Sequence, residues 1–310
     1  MKTIFKNKLF TIGIKIIFAS FAFWFLSKKL DYSQLPELFY TMNYYLLTLA
    51  LVFQFISIAI AAFRWKLVMH SLGFGGDNVF YQKLYFKGFF FSQALPGSVG
   101  GDAIRLIALR DQGYKIGDSL YGIFIDRVVG LIGLLLISLF ALLLAPDFLT
   151  STIINTVLLI STGGLAGFLL LLILHKMINF NRFPTFRILG ELSKRFYKVY
   201  ETKQKAFFQI SLSVIIHLFS ILSIYIISIS AHLEIEVGAF LCLMPLVILL
   251  TILPVSFAGW GVREGAMVGL FSMSGASKES IMAVSIAYGV ILIVSSLPGF
   301  ATWLNSKNIA

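Results

Sequence analysis

Two arginines, each nine residues after a proline, mark the chemistry this chain could do. The first closes PGSVGGDAIR, from Pro96 to Arg105, and the second closes PVSFAGWGVR, from Pro254 to Arg263; both segments read P-x-S-x-x-G-x-x-x-R. A guanidinium is a planar fork of donors that grips phosphate through two parallel hydrogen bonds. Gly97, Gly100 and Gly101 in the first segment, and Gly259 and Gly261 in the second, allow tight turns that expose backbone N–H groups. Ser98 and Ser256 add hydroxyl donors, and a helix starting after each turn aims its positive dipole end at the same point. Together these are the parts of an anion cradle. The plainer reading of each glycine is a packing kink, and of each arginine a side chain snorkelling to the interface. An arginine that sits deep in hydrocarbon needs a partner, and Asp102 and Glu264 are the nearest acids in sequence. Trp260 falls inside the second segment, where it is placed to line the site.

The elements that must position these residues are transmembrane helices. The chain is 58% hydrophobic and 13% charged, with a mean hydropathy of +0.91. Apolar runs long enough for hydrocarbon are expected to span at about 9–27, 44–63, 119–145, 152–174, 206–231 and 281–303. Two further apolar stretches, about 84–110 and 238–274, contain the repeated segments and are broken near the middle by Pro96 and Pro254. Arms this short enter and leave from one face, so both read as re-entrant hairpins whose irregular backbone is shielded by protein. The predicted fold is an all-α polytopic membrane protein of six spans and two hairpins.

Charge orients it. The stretch from His175 to Lys205 carries eight Lys/Arg and that from Arg64 to Lys115 carries seven, whereas the connections at 146–151 and 232–237 carry none. The basic stretches are therefore cytoplasmic, as are both termini. Each half then reads span, span, hairpin, span, with the second half inverted relative to the first. The organisation expected is a first repeat at 1–174, a basic linker at 175–205, and the rest of the second repeat at 206–310, that repeat beginning at the 152–174 span. In the linker Phe186, Leu189, Leu192, Phe196 and Val199 recur at helical spacing among lysines and arginines, predicting a helix on the inner membrane surface. The net charge of +11 thus reads as topology and affinity for anionic inner-leaflet lipids, not as a nucleic-acid surface.

Asp126 and Arg127 lie about a third of the way into the third span and must face the bundle interior, as an internal ion pair or as a gate or proton relay beside the hairpins. Cys242 is the sole cysteine, and His70, His175, His217 and His232 match no zinc spacing, so neither a disulfide nor a metal or other cofactor is expected. Trp24, Trp65 and Trp303 sit near predicted span ends, where interfacial aromatics belong. Ser98 lacks the surroundings of a nucleophile elbow and no phosphate-binding loop is present, so the chain is expected not to be an enzyme.

Taken together, Arg64-Trp65, LPGSVGGDAIR, Asp126-Arg127, PVSFAGWGVRE ending at Glu264, and SSLPG around Pro298 resemble the flippase-like membrane domain of bacterial lysylphosphatidylglycerol synthases. The resemblance covers nearly the whole chain, in a stand-alone form without the aminoacyl transferase part. It differs at Asp126, where the family usually has glutamate before the arginine. It implies a multi-pass protein of the bacterial inner or plasma membrane that moves a phosphate-bearing lipid, phospholipid or polyprenyl-phosphate, between leaflets. Arg105 and Arg263 would hold phosphate, with Asp126, Arg127 and Arg64 gating or coupling. Alternatives left open are an ion-coupled carrier of a small anion and a membrane transferase acting on a lipid-linked sugar. The partner expected is an anionic-headgroup lipid, with a second copy of the chain or a separate lipid-modifying enzyme as further candidates.

Overall fold

A computed structural model describes residues 35–94, 99–144, 147–177, 187–252 and 259–306. These residues form helices and turns, with no strand among them. Five helices are long and apolar enough to cross a membrane: α2 (Tyr44–Ser71), α5 (Ile116–Ala141, prolonged by a 3-10 turn to Leu144), α6 (Ser151–Met177), α8 (Lys203–Ser230) and α11 (Lys278–Ser306). They match five of the six predicted spans; the first, at 9–27, lies outside the described residues, with Trp24. A short helix, α1 (Leu35–Thr41), precedes α2 and packs on α11.

Each hairpin is a pair of shorter helices. The first is α3 (Asn78–Ala94) and α4 (Val99–Asp111), of 17 and 13 residues, and the second α9 (Val237–Ile252) and α10 (Val262–Phe271), of 16 and 10 residues. At 1.5 Å per residue each arm falls short of the roughly 30 Å of hydrocarbon, as a re-entrant arm must. The arms of each hairpin pack against each other. In the first they do so where glycine faces glycine: a Cβ on Gly101 would collide with the Gly88 carbonyl and the Ser92 hydroxyl.

The two halves are related by exchange. α3 packs on α11 and α9 on α5; α5 packs on α8 and α11 on α2; α4 packs on α5 and α10 on α11; α2 touches α5 and α8 touches α11. At the centre lies the α2–α8 seam, where each helix is the long span that precedes a hairpin. Along it the Ser57 hydroxyl donates to the Ile216 carbonyl (2.9 Å), Ser223 to that of Ala50 (2.8 Å) and Ser230 to that of Asn43 (3.1 Å). Rising numbers on α2 meet falling numbers on α8, so these equivalent helices run antiparallel and the halves are inverted. Small hydroxyl-bearing residues allow this close approach and satisfy their own polar groups across it.

Helix ends follow local chemistry. Asn43 caps α2, its Oδ1 accepting from the N–H of Tyr45 (2.9 Å) and Leu46 (3.3 Å). α2 runs on past the predicted end at residue 63, through Arg64 and Trp65 to Ser71, before Gly73 turns the chain at a φ of 94°. The basic stretch from Arg64 therefore begins inside a span. Its arginine is helical there because it is buried and paired within the bundle.

The basic linker forms the predicted helix, α7 (Arg187–Val199), although Phe186 is outside the described residues. It docks on α6 rather than lying free. Phe196 and Val199 are fully buried, and Ser193 Oγ donates to the Leu171 carbonyl (2.6 Å) while accepting from the His175 N–H (2.9 Å). Arg195 reaches Asp118 (2.6 Å) and lies over the Tyr121 ring, tying α7 to the start of α5.

Candidate functional site

Two ionic clusters flank the centre of the bundle, one built on each repeated segment. In the first, Arg105 projects from α4 and pairs with Asp102, one turn back on the same helix. Asp102 also accepts from Arg127 of α5. The neighbouring Asp126, 2% exposed, is held by Arg64 of α2, whose Nε and Nη2 reach its Oδ1 at 3.1 and 2.9 Å. Arg64 Nη2 also donates to the Asp126 main-chain carbonyl (3.1 Å) and Nη1 to Ser213 Oγ on α8 (2.7 Å). Arg64 thus ties three helices together. Arg105 lies between the Trp65 and Tyr85 rings, 4.9 Å from each centroid, an arrangement that stabilises a desolvated cation by about 2 kcal/mol. Its Nη1 is buried without a hydrogen-bond partner among the described residues, 3.7 Å from Asp126 Oδ2. Three guanidinium groups against two carboxylates leave this cluster with one net positive charge.

The second cluster is closed. Arg263 Nε and Nη2 donate to Glu264 Oε1 at 3.1 and 2.6 Å, and Ser285 Oγ of α11 joins them at 3.1 Å from that oxygen. The other Glu264 oxygen accepts the Gly261 N–H, and the residue is 0% exposed. Arg263 lies 4.8 Å from the Trp260 ring and 5.8 Å from that of Tyr288. Each repeated arginine is therefore sandwiched by aromatics and braced against the span that follows it, but only the first keeps surplus charge.

The clusters face two adjoining cavities. The larger, about 550 Å³, is lined by Arg64, Asp102, Arg105, Asp126 and Arg127 together with Gly101 from the first hairpin and Thr251 and Gly259 from the second. That volume lies within the range of small-molecule sites. The smaller, about 250 Å³, is lined by Arg263, Gln54, Ser220 and Tyr288. Tyr85, Phe89, His217 and Thr251 border both. Along α2 the larger cavity is reached from Ala61 and Arg64 and the smaller from Gln54, Ser57, Ile58 and Ala61. At 1.5 Å per residue, Gln54 and Arg64 are separated by about 15 Å along the helix, so the cavities are stacked through the bundle.

The structure gathers Gly101, Asp102, Arg105, Arg64, Asp126, Arg127 and Gly259 around one cavity and puts Arg263 on the next, with Trp260 beside it. Pro96, Gly97, Ser98, Pro254 and Ser256 lie outside the described residues. Two expectations are corrected. Gly100 and Gly101 are in helix α4, not in a turn, and Gly101 serves the close crossing with Gly88. In the second segment Gly259 and Gly261 do turn the chain, at φ of 84° and 82°, a region L-side chains rarely adopt. That turn delays the start of α10, so Arg263, nine residues after Pro254, sits in the first turn of its helix. Trp65, read as interfacial, is fully buried against Arg105.

Sequence reasoning missed Gln54, Tyr85, Ser213, Ser220 and Tyr288. Polar residues recurring inside apolar spans were the signal available for them. His217, which the sequence marks only by its lack of zinc spacing, places its Nε2 2.9 Å from the Gly130 carbonyl between the cavities. Among the described residues no group of three or more His, Cys, Asp or Glu side chains could hold a metal ion.

Fold and site define a polytopic all-α membrane protein whose two broken hairpins meet at a charged internal cavity. The family model for the lysylphosphatidylglycerol synthase TM region matches residues 12–299, and the chain belongs to that family. Membership associates it with aminoacyl-phospholipid metabolism or translocation. No curated protein matches the chain.

Proposed function

We propose that this protein binds the phosphate of a membrane lipid at Arg105 and carries the headgroup between leaflets. The observation that carries this reading is the guanidinium of Arg105: it lines the larger cavity and, among the described residues, one of its nitrogens has no hydrogen-bond acceptor and its cluster sets three guanidinium groups against two carboxylates. A phosphate oxygen beside Nη1 supplies the missing acceptor and neutralises the surplus. Arg105 is the phosphate-contacting residue, while Arg64 and Asp126 position it by fixing α2, α5 and α8 around it.

Inverted halves support the motion. Two hairpins meeting at one cavity, each approaching from its own face, let rocking of one half against the other present the same site to either leaflet. The basic stretches orient the chain with its termini in the cytoplasm of a bacterial cell, and α7 with Lys194 and Lys198 rests against anionic inner-leaflet lipid.

The test is reconstitution of the full chain into liposomes holding a fluorescent phosphatidylglycerol, followed by chemical quenching of outer-leaflet dye. Protein-containing vesicles quench beyond the outer-leaflet half, and Arg105→Ala slows that phase at least tenfold. A variant as fast as the parent defeats the assignment. Suppression by millimolar soluble phosphate or sulfate to the same extent would favour a carrier of small anions instead.

A further inference from the structure

The smaller cavity has a chemistry of its own. Gln54 of α2, Ser220 of α8 and Tyr288 of α11 meet there: Ser220 Oγ lies 2.7 Å from Tyr288 Oη and 3.2 Å from Gln54 Oε1, and Tyr288 Oη lies 3.4 Å from that same oxygen. Their bonds to Gln54 use its amide oxygen, which leaves the amide nitrogen to donate elsewhere. All three side chains line the cavity, with Thr251 adding a fourth neutral polar group. Hydroxyls and an amide gathered inside hydrocarbon, at a cavity wall and not facing lipid, are what recognises a neutral group rich in hydroxyls.

Charge points the same way. Among the described residues Arg263 is the one ionised group on this wall, and its acid, Glu264, is sealed behind it with both oxygens already accepting hydrogen bonds. An ammonium entering this cavity would find no carboxylate among the described lining residues, and those of the adjoining cavity are already paired with arginines. Each of the tyrosines on this wall already has a guanidinium over its ring, Arg263 at Tyr288 and Arg105 at Tyr85. A second cation beside either guanidinium meets repulsion, not a cage.

We propose that Gln54, Ser220 and Tyr288 form a headgroup subsite for a neutral, hydroxylated group, glycerol or sugar, joined through a phosphodiester to the lipid, and that amine-bearing headgroups are excluded. This rests on phosphate binding at Arg105, since the shared wall of Tyr85, Phe89 and His217 puts the two cavities in line for the two parts of one headgroup. It separates this chain from a lysylated substrate although its family is named for one. Glycerol and sugar present the same donors and acceptors, and both are tested.

The experiment measures binding of short-chain lipids to the purified full chain in detergent, by quenching of tryptophan fluorescence and by native mass spectrometry. The probes are dioctanoyl phosphatidylglycerol, a citronellyl phosphohexose, dioctanoyl phosphatidic acid, phosphatidylethanolamine and lysylphosphatidylglycerol. At least one of the two hydroxylated phosphodiesters binds tenfold or more tightly than either amine-bearing lipid, and the tighter of the pair names glycerol or sugar. Tyr288→Phe and Ser220→Ala each weaken that ligand three- to tenfold while leaving phosphatidic acid, which has no further headgroup, within twofold of the parent. Equal affinity for an amine-bearing lipid overturns the subsite, as does an equal loss for phosphatidic acid, which would make the triad a packing element. If Arg105→Ala binds phosphatidylglycerol and phosphatidic acid as the parent does, the phosphate reading falls by itself.

Discussion

Replacing Asp126 with leucine should expose how the site is held together. Arg64 places two nitrogens on Asp126 Oδ1, at 3.1 and 2.9 Å, and the two side chains are only 5% and 3% exposed. Asp126→Leu strips the carboxylate from a buried guanidinium and leaves it only the Ser213 hydroxyl and the main-chain carbonyl of residue 126, at a cost of about 3–5 kcal/mol. Arg64→Met leaves the carboxylate with Arg105 Nη1 at 3.7 Å as its remaining cation, and costs about 3 kcal/mol, the lower end of that range. The double variant removes both charges and keeps the volume, so it should unfold within about 1 kcal/mol of the parent, since hydrophobic replacement of buried pairs is often neutral. Non-additivity of about 3 kcal/mol or more is therefore expected. Equilibrium unfolding in mixed micelles, followed by far-UV circular dichroism, measures all four proteins. Additive losses would refute the pairing. The double variant also preserves the single net positive charge around Arg105, because it deletes one charge of each sign. Phosphatidylglycerol affinity within threefold of the parent would establish the pair as scaffolding, in place of the gating or coupling role that the sequence suggested.

Further outcomes follow from the same geometry. Gly101→Val should prevent α4 from closing on Gly88 and Ser92 and sharply lower the yield of folded protein, whereas Gly117→Ala, with nothing within 4 Å, should be neutral or stabilising by up to about 1 kcal/mol; size-exclusion profiles in detergent compare them. Glu264→Gln should weaken the anchoring of Arg263 and destabilise the second hairpin by about 3 kcal/mol, read as an earlier thermal transition. Single cysteines at positions 98 and 256, in a chain with Cys242→Ser, should react with impermeant maleimide from opposite sides of oriented vesicles; labelling from one side only would contradict the inverted arrangement.

Much of the fold was legible because hydrophobic length and charge asymmetry are strong signals in lipid. Five described spans fall where their apolar runs predict, and each repeated proline lies, in sequence, between two described helices. Legibility failed where an ionised residue is buried by partners distant in sequence. Arg64 ends an apolar run, so by composition it begins a loop; only Asp126, 62 residues on, and Ser213, 149 residues on, make it the interior of a helix. The pairs Arg105 with Asp102 and Arg263 with Glu264 were readable because they are local. The difference between the two arginines was not, since it depends on Arg64, Asp126 and Arg127 joining the first cluster and only Ser285 joining the second. Glycine was ambiguous in the same way: Gly101 and Gly259 occupy comparable places in the repeats, yet one permits a helix crossing and the other a left-handed turn.

The central claim is that a lipid headgroup occupies the cavity shared by both hairpins. Photolabelling tests it most directly, using phosphatidylglycerol with a diazirine beside the phosphate, irradiated with the reconstituted full chain and mapped by peptide mass spectrometry. Labels should fall on the segments 101–105 and 259–263 and drop at least tenfold in Arg105→Ala. Labels confined to outward-facing positions such as Leu159 and Leu170, and unchanged in that variant, would contradict it.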